Sequence, residues 1–501
     1  MLFNSYGFVF LFFPLVLAGY AICQRAVRGL SGGRWGSLFG KLFLFAASLV
    51  FYGWSHPGSL PVLLGSMAFN YGLYRQMEGS LRKKTVLAAG VAFHLALLAC
   101  FKYLGLGGAA PLGISFFTFT QIAFLAEGFR GNLKQVKALS YGLYVSFFPK
   151  VMQGPIALPE EMLGQFDKEK EGTGWEGIYR NLYLFVLGLF KKVLIADTLG
   201  SAADFGYANL SALNAGDGLV VMLSYTLQLY FDFSGYCDMA MGIGGMLGIS
   251  LPLNFRSPYK ASNILEFWKG WHITLTKFFT QYVYIPLGGS RRGKIRTYLN
   301  TLLVFFLSGI WHGAGWQFIV WGLMHGILYV LTRIYGDWRK GRNGRPGDGE
   351  RSGSGDKGDK KPHLPGGGLC HCLKVFLTFL YVNIAWIFFR APSLKEALTL
   401  VRTIGGFSFG KINWNLAGCF NLEEFWYVIK ILGLDRWQYG HYLLMALILA
   451  GTLLLVFFGK TAREYADKAK PGALNGMVMA LLFFWSVLSF SGVSSFLYVN
   501  F

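Results

Sequence analysis

The sequence predicts an all-α polytopic membrane protein. Three observations carry this reading. Apolar runs recur from end to end of the 501 residues, many of them near the ~20 residues a helix needs to cross a bilayer. Charged residues are 14% of the chain, against roughly a quarter in a soluble protein. The alternating segments of ~10 residues that mark a membrane β-barrel are not seen. A mean hydropathy of +0.43 agrees.

The apolar segments centre near 7–22, 41–54, 59–73, 86–104, 112–127, 139–156, 179–199, 218–247, 297–311, 316–333, 371–390, 441–458 and 473–490. Several are short or broken by glycine, so about 11–13 transmembrane or re-entrant helices are expected. The 66 glycines suit close helix packing in a membrane.

The first apolar run has no basic residue before it, so it does not read as a cleaved signal. Arg25, Arg28 and Arg34 follow it. By the positive-inside rule the first helix starts outside and ends in the cytoplasm. Residues 337–369 are Gly-rich, mixed in charge and almost free of apolar side chains. They read as a disordered cytoplasmic linker between an N-terminal and central part, 1–336, and a C-terminal part, 370–501. The basic stretch 460–470 should again be cytoplasmic. The last helix then returns the tail, Phe496-Leu-Tyr-Val-Asn-Phe501, to the outside. Both termini are thus expected outside a cell membrane crossed many times.

The net charge of +21 would suggest nucleic acid in a soluble protein. Here the basic residues cluster as Arg82-Lys83-Lys84, Lys191-Lys192, Arg291-Arg292 and 339–361, which reads as cytoplasmic loops near anionic lipid. Nucleic acid is not an expected partner, but a subset of these cations suits an anionic cytosolic substrate. The six cysteines form no disulfide framework, and Cys370-His371-Cys372 lacks a second pair, so no metal is expected. Gly29-Leu-Ser-Gly-Gly33 matches G-x-S-x-G formally, but in a basic loop after a membrane helix rather than a strand–helix elbow. No Walker A, H-E-x-x-H or H-x-x-x-x-D pattern occurs.

Chemistry concentrates between Leu227 and Gly326, where Asp232, Asp238, Glu266, His272, His312 and His325 are embedded in apolar sequence. Ionisable groups at membrane depth are costly and mark function by default. One helix from Thr297 to Tyr329 would be about 50 Å long, against a hydrocarbon core of ~30 Å. The break is expected at Gly313-Ala314-Gly315, directly after His312, which places that ring at an internal, wetted site. Around His272, Phe267, Trp268, Trp271, Leu275, Phe278 and Phe279 recur at three- and four-residue spacing, predicting an amphipathic helix that delivers His272 toward His312. His94, His325 and His441 are better read as hydrogen-bonded core residues. Asp232 and Asp238 read chiefly as groups bonded between helices, with a part in shaping a tunnel as the alternative. What remains is histidine general-base chemistry, a neutral imidazole taking a proton from an attacking hydroxyl.

These residues resemble the MBOAT family of membrane-bound O-acyltransferases, in the branch that acetylates alginate and, further off, that of lipoteichoic-acid D-alanylation. The resemblance rests on Pro111-LGISFFTFTQIAFL, Phe148-PKVMQGPI, Tyr230-FDFSGYCDMAMGIGGMLG, Leu251-PLNFRSPYKA, Phe267-WKGWHITLTKFF, Tyr284-IPLGGSRRG, Gly309-IWHGAGWQFIVWGLMHG and Trp386-IFFRAP. It implies a ring of tilted helices about a thin centre with a funnel from each face. It implies that His312, in W-H-G-A, is catalytic and that His272, in W-H-I-T-L, is the family's second histidine. Trp311 and Trp268 stand as supporting residues. Where relatives commonly read R-D-Y, this chain has Thr280-Gln281-Tyr282, which puts an ion pair there in doubt.

The function expected is transfer of an acetyl group from cytosolic acetyl-CoA across the membrane, for O-acetylation of an extracytoplasmic polysaccharide. Arg256, Lys260, Arg291 and Arg292 are expected to meet the CoA phosphates. The related systems imply an extracytoplasmic SGNH-type partner through which the polymer is reached. Tyr498 on the tail is either a transient acyl carrier or, with Phe496 and Phe501, part of an aromatic anchor or docking tail. The rivals are transfer of another small acyl group such as D-alanyl to a cell-wall polymer, a proton-coupled transporter, and a non-catalytic scaffold.

Overall fold

The computed structural model describes the chain apart from residues 29–33, 106–109, 168–172, 343–367, 422–429, 432, 434–436, 438, 493–495 and 498–501. The G-x-S-x-G match, most of the linker, Tyr498 and Phe501 lie outside the described residues. Among the described residues every regular element is helical.

The N-terminal part comprises α1 (Phe13–Arg28), α2 (Arg34–Ser55), α3 (Leu60–Gly79), α4 (Lys83–Lys102), α5 (Ile114–Arg130), α6 (Ala138–Ser146) and α7 (Pro159–Asp167). The centre is α8 (Trp175–Phe190), α9 (Asp197–Ala208) and α10 (Ala215–Met246), then the short α11 (Ile264–Gly270) and α12 (Ile273–Phe279), then α13 (Lys294–His312) and α14 (Trp316–Arg342). The C-terminal part holds α15 (Leu369–Arg390), α16 (Leu394–Gly405), α17 (Trp414–Gly418), α18 (Gly440–Phe458), α19 (Ala462–Lys468) and α20 (Ala473–Leu488). Helix α14 runs to Arg342, inside the stretch expected to be linker.

Among the described residues five helical stretches are long and apolar enough to cross a membrane: Gly7–Arg25, Lys83–Lys102, Trp316–Arg339, Leu369–Arg390 and Gly440–Phe458. Leu38–Trp54 and Ala473–Leu488 are shorter apolar helices. Helix α10 is enclosed by protein along almost its whole length and packs against α8 and α9. Its start is set by a reciprocal cap: Asp217 N donates to Asn214 Oδ1 and Asn214 N to Asp217 Oδ2, each at 3.1 Å.

Two expectations are corrected here. The segment 139–156 is helical only through α6. Residues 147–157 form a buried irregular passage, whose amides are met by Ser48 Oγ (from Phe148 N, 3.2 Å) and Thr274 Oγ1 (from Ile156 N, 3.0 Å). Buried backbone of this kind persists only where such acceptors exist. Lys191 and Lys192 are not in a loop. They start a π-helical turn, Lys191–Ala196, between α8 and α9. Lys191 Nζ lies 2.6 Å from Asp238, and Lys192 Nζ lies 2.7 Å from Asp232 and 2.8 Å from Asp197. The two aspartates therefore tie α10 to the α8–α9 junction, as the structural reading of them requires.

Helices α13 and α14 form an antiparallel hairpin. At its base Tyr298 Oη donates to Asp337 Oδ2 at 3.4 Å, with Lys294 Nζ 3.9 Å from the same carboxylate. At its tip is Gly313-Ala314-Gly315, the break expected from the sequence. The two helices approach closely because Gly309 and Gly322 face the opposite backbone. A Cβ on either would stand 2.5 Å from a carbonyl oxygen, of Phe318 and Phe305 respectively.

Candidate active site

His312 is the last residue of α13, and the backbone turns extended at Gly313. A helix end leaves its final carbonyls without intrahelical partners. Here the side chains of Lys102 and Tyr103, at the end of α4, donate to the carbonyls of Trp311 and Ile310. The tip is thus held from a second helix, and the ring of His312 is buried. It sits edge-on to Trp321 of α14 (5.1 Å between centroids) and to Phe389 of α15 (4.9 Å), with Trp311 at 4.7 Å.

The amphipathic helix expected around His272 is two helices. The chain breaks at Trp271-His272, and His272 is held at φ +43 as the residue before α12. A non-glycine residue there stores roughly 1–3 kcal/mol, kept only where the surroundings over-determine it. They do so here. The residues 254–256 run alongside 270–274: Arg256 N donates to Gly270 O (2.9 Å) and Ile273 N to Asn254 O (3.0 Å). Asn254 Oδ1 lies 3.0 Å from His272 Nδ1 and accepts from Thr274 N (3.2 Å) and Thr274 Oγ1 (2.8 Å). A continuous helix would have carried His272 on past this clamp. The apolar residues that suggested one stripe are all buried, while Lys269 and Lys277 remain exposed.

The break brings the two histidines to the same indole. Trp311 lies 6.5 Å from His272 and 4.7 Å from His312, centroid to centroid, and stacks on Phe119 at 5.1 Å. The Trp311 indole N–H is buried and finds no acceptor among the described residues.

A cavity of about 630 Å³ lies between α11, α12 and the turn after it on one side and α13 and α14 on the other, and neither histidine is in its wall. Trp268 and Ser308 line it, and Ser308 is one helical turn from His312 on α13. Lys269, Lys277 and Arg333 also line it. A second, almost wholly apolar cavity of about 530 Å³ lies across α12, with Phe119, Phe278 and Trp311 in its wall.

The four cations expected at the donor separate into two groups, and none lines either cavity. Arg256 is exposed beside Gly270, and Lys260 donates to Gly459 O at 2.5 Å. Arg291 and Arg292 are exposed in the turn before α13, whose 19 residues set them about 27 Å along the helix from His312. The cations that do line the first cavity are Lys269, Lys277 and Arg333. Lys269 and Lys277 were visible as the polar face around His272, but Arg333 joins them only through the hairpin.

Trp268 supports the site from below, its Nε1 donating to His325 Nδ1 at 3.3 Å. His94 is likewise held in the core, its Nε2 2.8 Å from Asn70 Oδ1, and His441 packs edge-on to Trp414 at 4.6 Å. At Thr280-Gln281-Tyr282 a buried carboxylate takes neutral donors as well as Arg130. Glu127 accepts from Gln281 Nε2 (3.0 Å) and Tyr282 Oη (2.9 Å) beside its 2.7 Å pair with Arg130.

Phe496 is not an interfacial anchor. It is fully buried, edge-on to Tyr236 at 5.0 Å, with Lys192 Nζ 4.7 Å from its ring centre. Leu497 N donates to Asp232 Oδ2 at 3.2 Å. Among the described residues no group of three or more His, Cys, Asp and Glu gathers as a metal site.

The profile of the MBOAT, membrane-bound O-acyltransferase, family matches residues 91–341. A peptidoglycan O-acetyltransferase of Helicobacter pylori is 38% identical over 451 residues, 81% of this chain and 80% of that protein. A probable alginate O-acetylase of Pseudomonas aeruginosa is 33% identical over 496 residues, 94% and 84% of the two chains. A teichoic acid D-alanyltransferase of Bacillus subtilis is 27% identical over 362 residues, 66% of this chain and 89% of that protein. With its helical membrane fold and the two histidines against Trp311, this chain belongs to the membrane-bound O-acyltransferase family and is an O-acyltransferase.

Proposed function

We propose that the protein takes an acetyl group from acetyl-CoA on the cytoplasmic side and passes it outward for O-acetylation of an extracytoplasmic cell-envelope polysaccharide. The observation that carries this is the position of His312: buried at a helix tip against Trp311, which His272 also approaches, and one turn from Ser308 in the wall of a cavity lined by cations. The choice of acetyl over D-alanyl is supported by the relatives. The two named as O-acetylating enzymes are 38% and 33% identical, the D-alanyltransferase 27%.

In this reading the acyl arm of the donor enters between α12 and α13, with Lys269, Lys277 and Arg333 opposite its phosphates. The acceptor oxygen attacks the thioester carbonyl. His312 removes the hydroxyl proton as the C–O bond forms, and the C–S bond breaks. The proton then passes to the departing thiolate, leaving an ester and free CoA. The Trp311 N–H is a donor for the carbonyl oxygen as charge builds on it.

Purified protein with its partner should release free CoA from acetyl-CoA. Ser308→Trp, which narrows the cavity at its His312 end, should raise KM for the donor more than tenfold, about 1.4 kcal/mol of binding or more. Turnover of a D-alanyl carrier thioester with none of acetyl-CoA would favour the alternative acyl group.

The immediate acceptor is read as a partner-linked group rather than the whole polymer, which cannot thread a narrow site. An SGNH-type acetyltransferase outside the membrane completes the transfer. Both termini outside is the orientation supported by the basic hairpin base and by the meeting of the N-terminus with the end of α20, where Tyr6 Oη donates to Val487 O at 3.1 Å. The reading of Tyr498, two residues after the seated Phe496, is that of a transient acyl carrier. Intact-mass analysis after acetyl-CoA treatment should show an acetyl adduct that Tyr498→Phe abolishes. An unmodified wild-type chain under single-turnover conditions removes Tyr498 as the carrier.

A further inference from the structure

We infer that Asn254 is a positioning residue that locks His272 in its Nδ1–H tautomer and leaves Nε2 as the basic atom of that ring. The inference rests on the proposed function and adds to it the reading that His272, which approaches Trp311 together with His312, assists the transfer by orienting a group. It follows from the direction of a hydrogen-bond chain that begins at backbone amides, which can only donate. Ile156 N donates to Thr274 Oγ1 at 3.0 Å, so that hydroxyl turns its own proton toward Asn254 Oδ1, 2.8 Å away. Thr274 N donates to the same oxygen at 3.2 Å. These two donors fix the amide with oxygen toward Thr274 and nitrogen toward Cys237, whose Sγ accepts from Nδ2 at 3.3 Å. The flipped amide would set N–H against N–H at Thr274. The atom facing His272 Nδ1 at 3.0 Å is therefore an acceptor, and Nδ1 must carry the proton.

The ring cannot turn away from this contact. Phe233 stands edge-on to it at 4.8 Å, and the left-handed backbone at His272 is clamped by Ile273 N on Asn254 O. Asn254 thus sets the backbone, the rotamer and the tautomer of His272 while standing one side chain back from the reacting atoms. The loop carrying Ile156 and the helix carrying Cys237 both end in this amide, which ties the geometry of His272 to two distant parts of the chain.

The test is a cycle on purified, folded protein, with kcat and KM for acetyl-CoA measured in each variant. Asn254→Leu keeps the branching of the side chain in a somewhat larger volume and removes both the acceptor and the Nδ2 donor. It should lower kcat by about 10²-fold with KM unchanged, within the range for general acid–base groups. Because Asn254 acts through His272, the double variant Asn254→Leu/His272→Ala should be no slower than His272→Ala. Asn254→Asp keeps the oxygen and should recover kcat to within about tenfold of wild type, with the acid limb of its pH profile moved to higher pH because a carboxylate favours the imidazolium. Among the described residues, the titratable groups linked to the ring are His312 and, through Asn254, Cys237. Wild-type kcat in Asn254→Leu, or losses that multiply in the double variant, overturns the inference while leaving His272 in place. Wild-type kcat in His272→Ala removes His272 from the reaction and the inference with it.

Discussion

His312→Ala is expected to lose at least 10²–10⁴-fold in kcat, the contribution of a positioned general base. The loss should appear equally in kcat/KM, because in the proposed mechanism the ring acts on the attacking hydroxyl and not on the bound donor. Its neighbours make the assignment specific. Trp311, Trp321 and Phe389 close around the imidazole and offer no carboxylate to compete for its proton. His325, equally buried one helical turn beyond Trp321, already has its Nδ1 engaged by Trp268. His325→Gln should therefore retain most of the activity. Kinetics of the two variants at matched, monodisperse protein concentration check both statements.

The largest expected effect on stability belongs to Lys192. Its ammonium is 1% exposed and bridges Asp232 and Asp197. Lys192→Met leaves two buried carboxylates facing each other without the cation, and breaking a buried pair in this way costs about 3–5 kcal/mol. It also removes the cation under Phe496, so the tail should loosen with it. Lys277→Ala, at a pair with Glu161 whose lysine is 43% exposed, should cost no more than about 1 kcal/mol. Thermal unfolding in one detergent at one protein concentration compares the two. A Lys192→Met protein as stable as Lys277→Ala would contradict the assignment.

The two lysines also show where sequence reasoning stops. Lys191-Lys192 looks like a basic loop because charge alone was available. Nothing local reveals that aspartates some forty residues on, along α10, face them across a π-helical turn. The break after His312 was legible because its cause is local: too many residues for one span, and glycines where the chain must turn. The break at His272 was not. Its apolar spacing continues through the break, and the agent is Asn254, eighteen positions upstream and bonded to Thr274. The cavity wall is a related case: Arg256, Lys260, Arg291 and Arg292 do not line it, whereas Arg333 reaches it only because α14 returns along α13. The tail was read as surface because it is aromatic and terminal, yet Phe496 fills a place against Tyr236.

The most direct measurement is release of free CoA from acetyl-CoA by the purified complex, followed with a thiol reagent for wild type, His312→Ala and His325→Gln side by side. The account predicts steady release by wild type and His325→Gln and none above background by His312→Ala. Equal release by wild type and His312→Ala would contradict it.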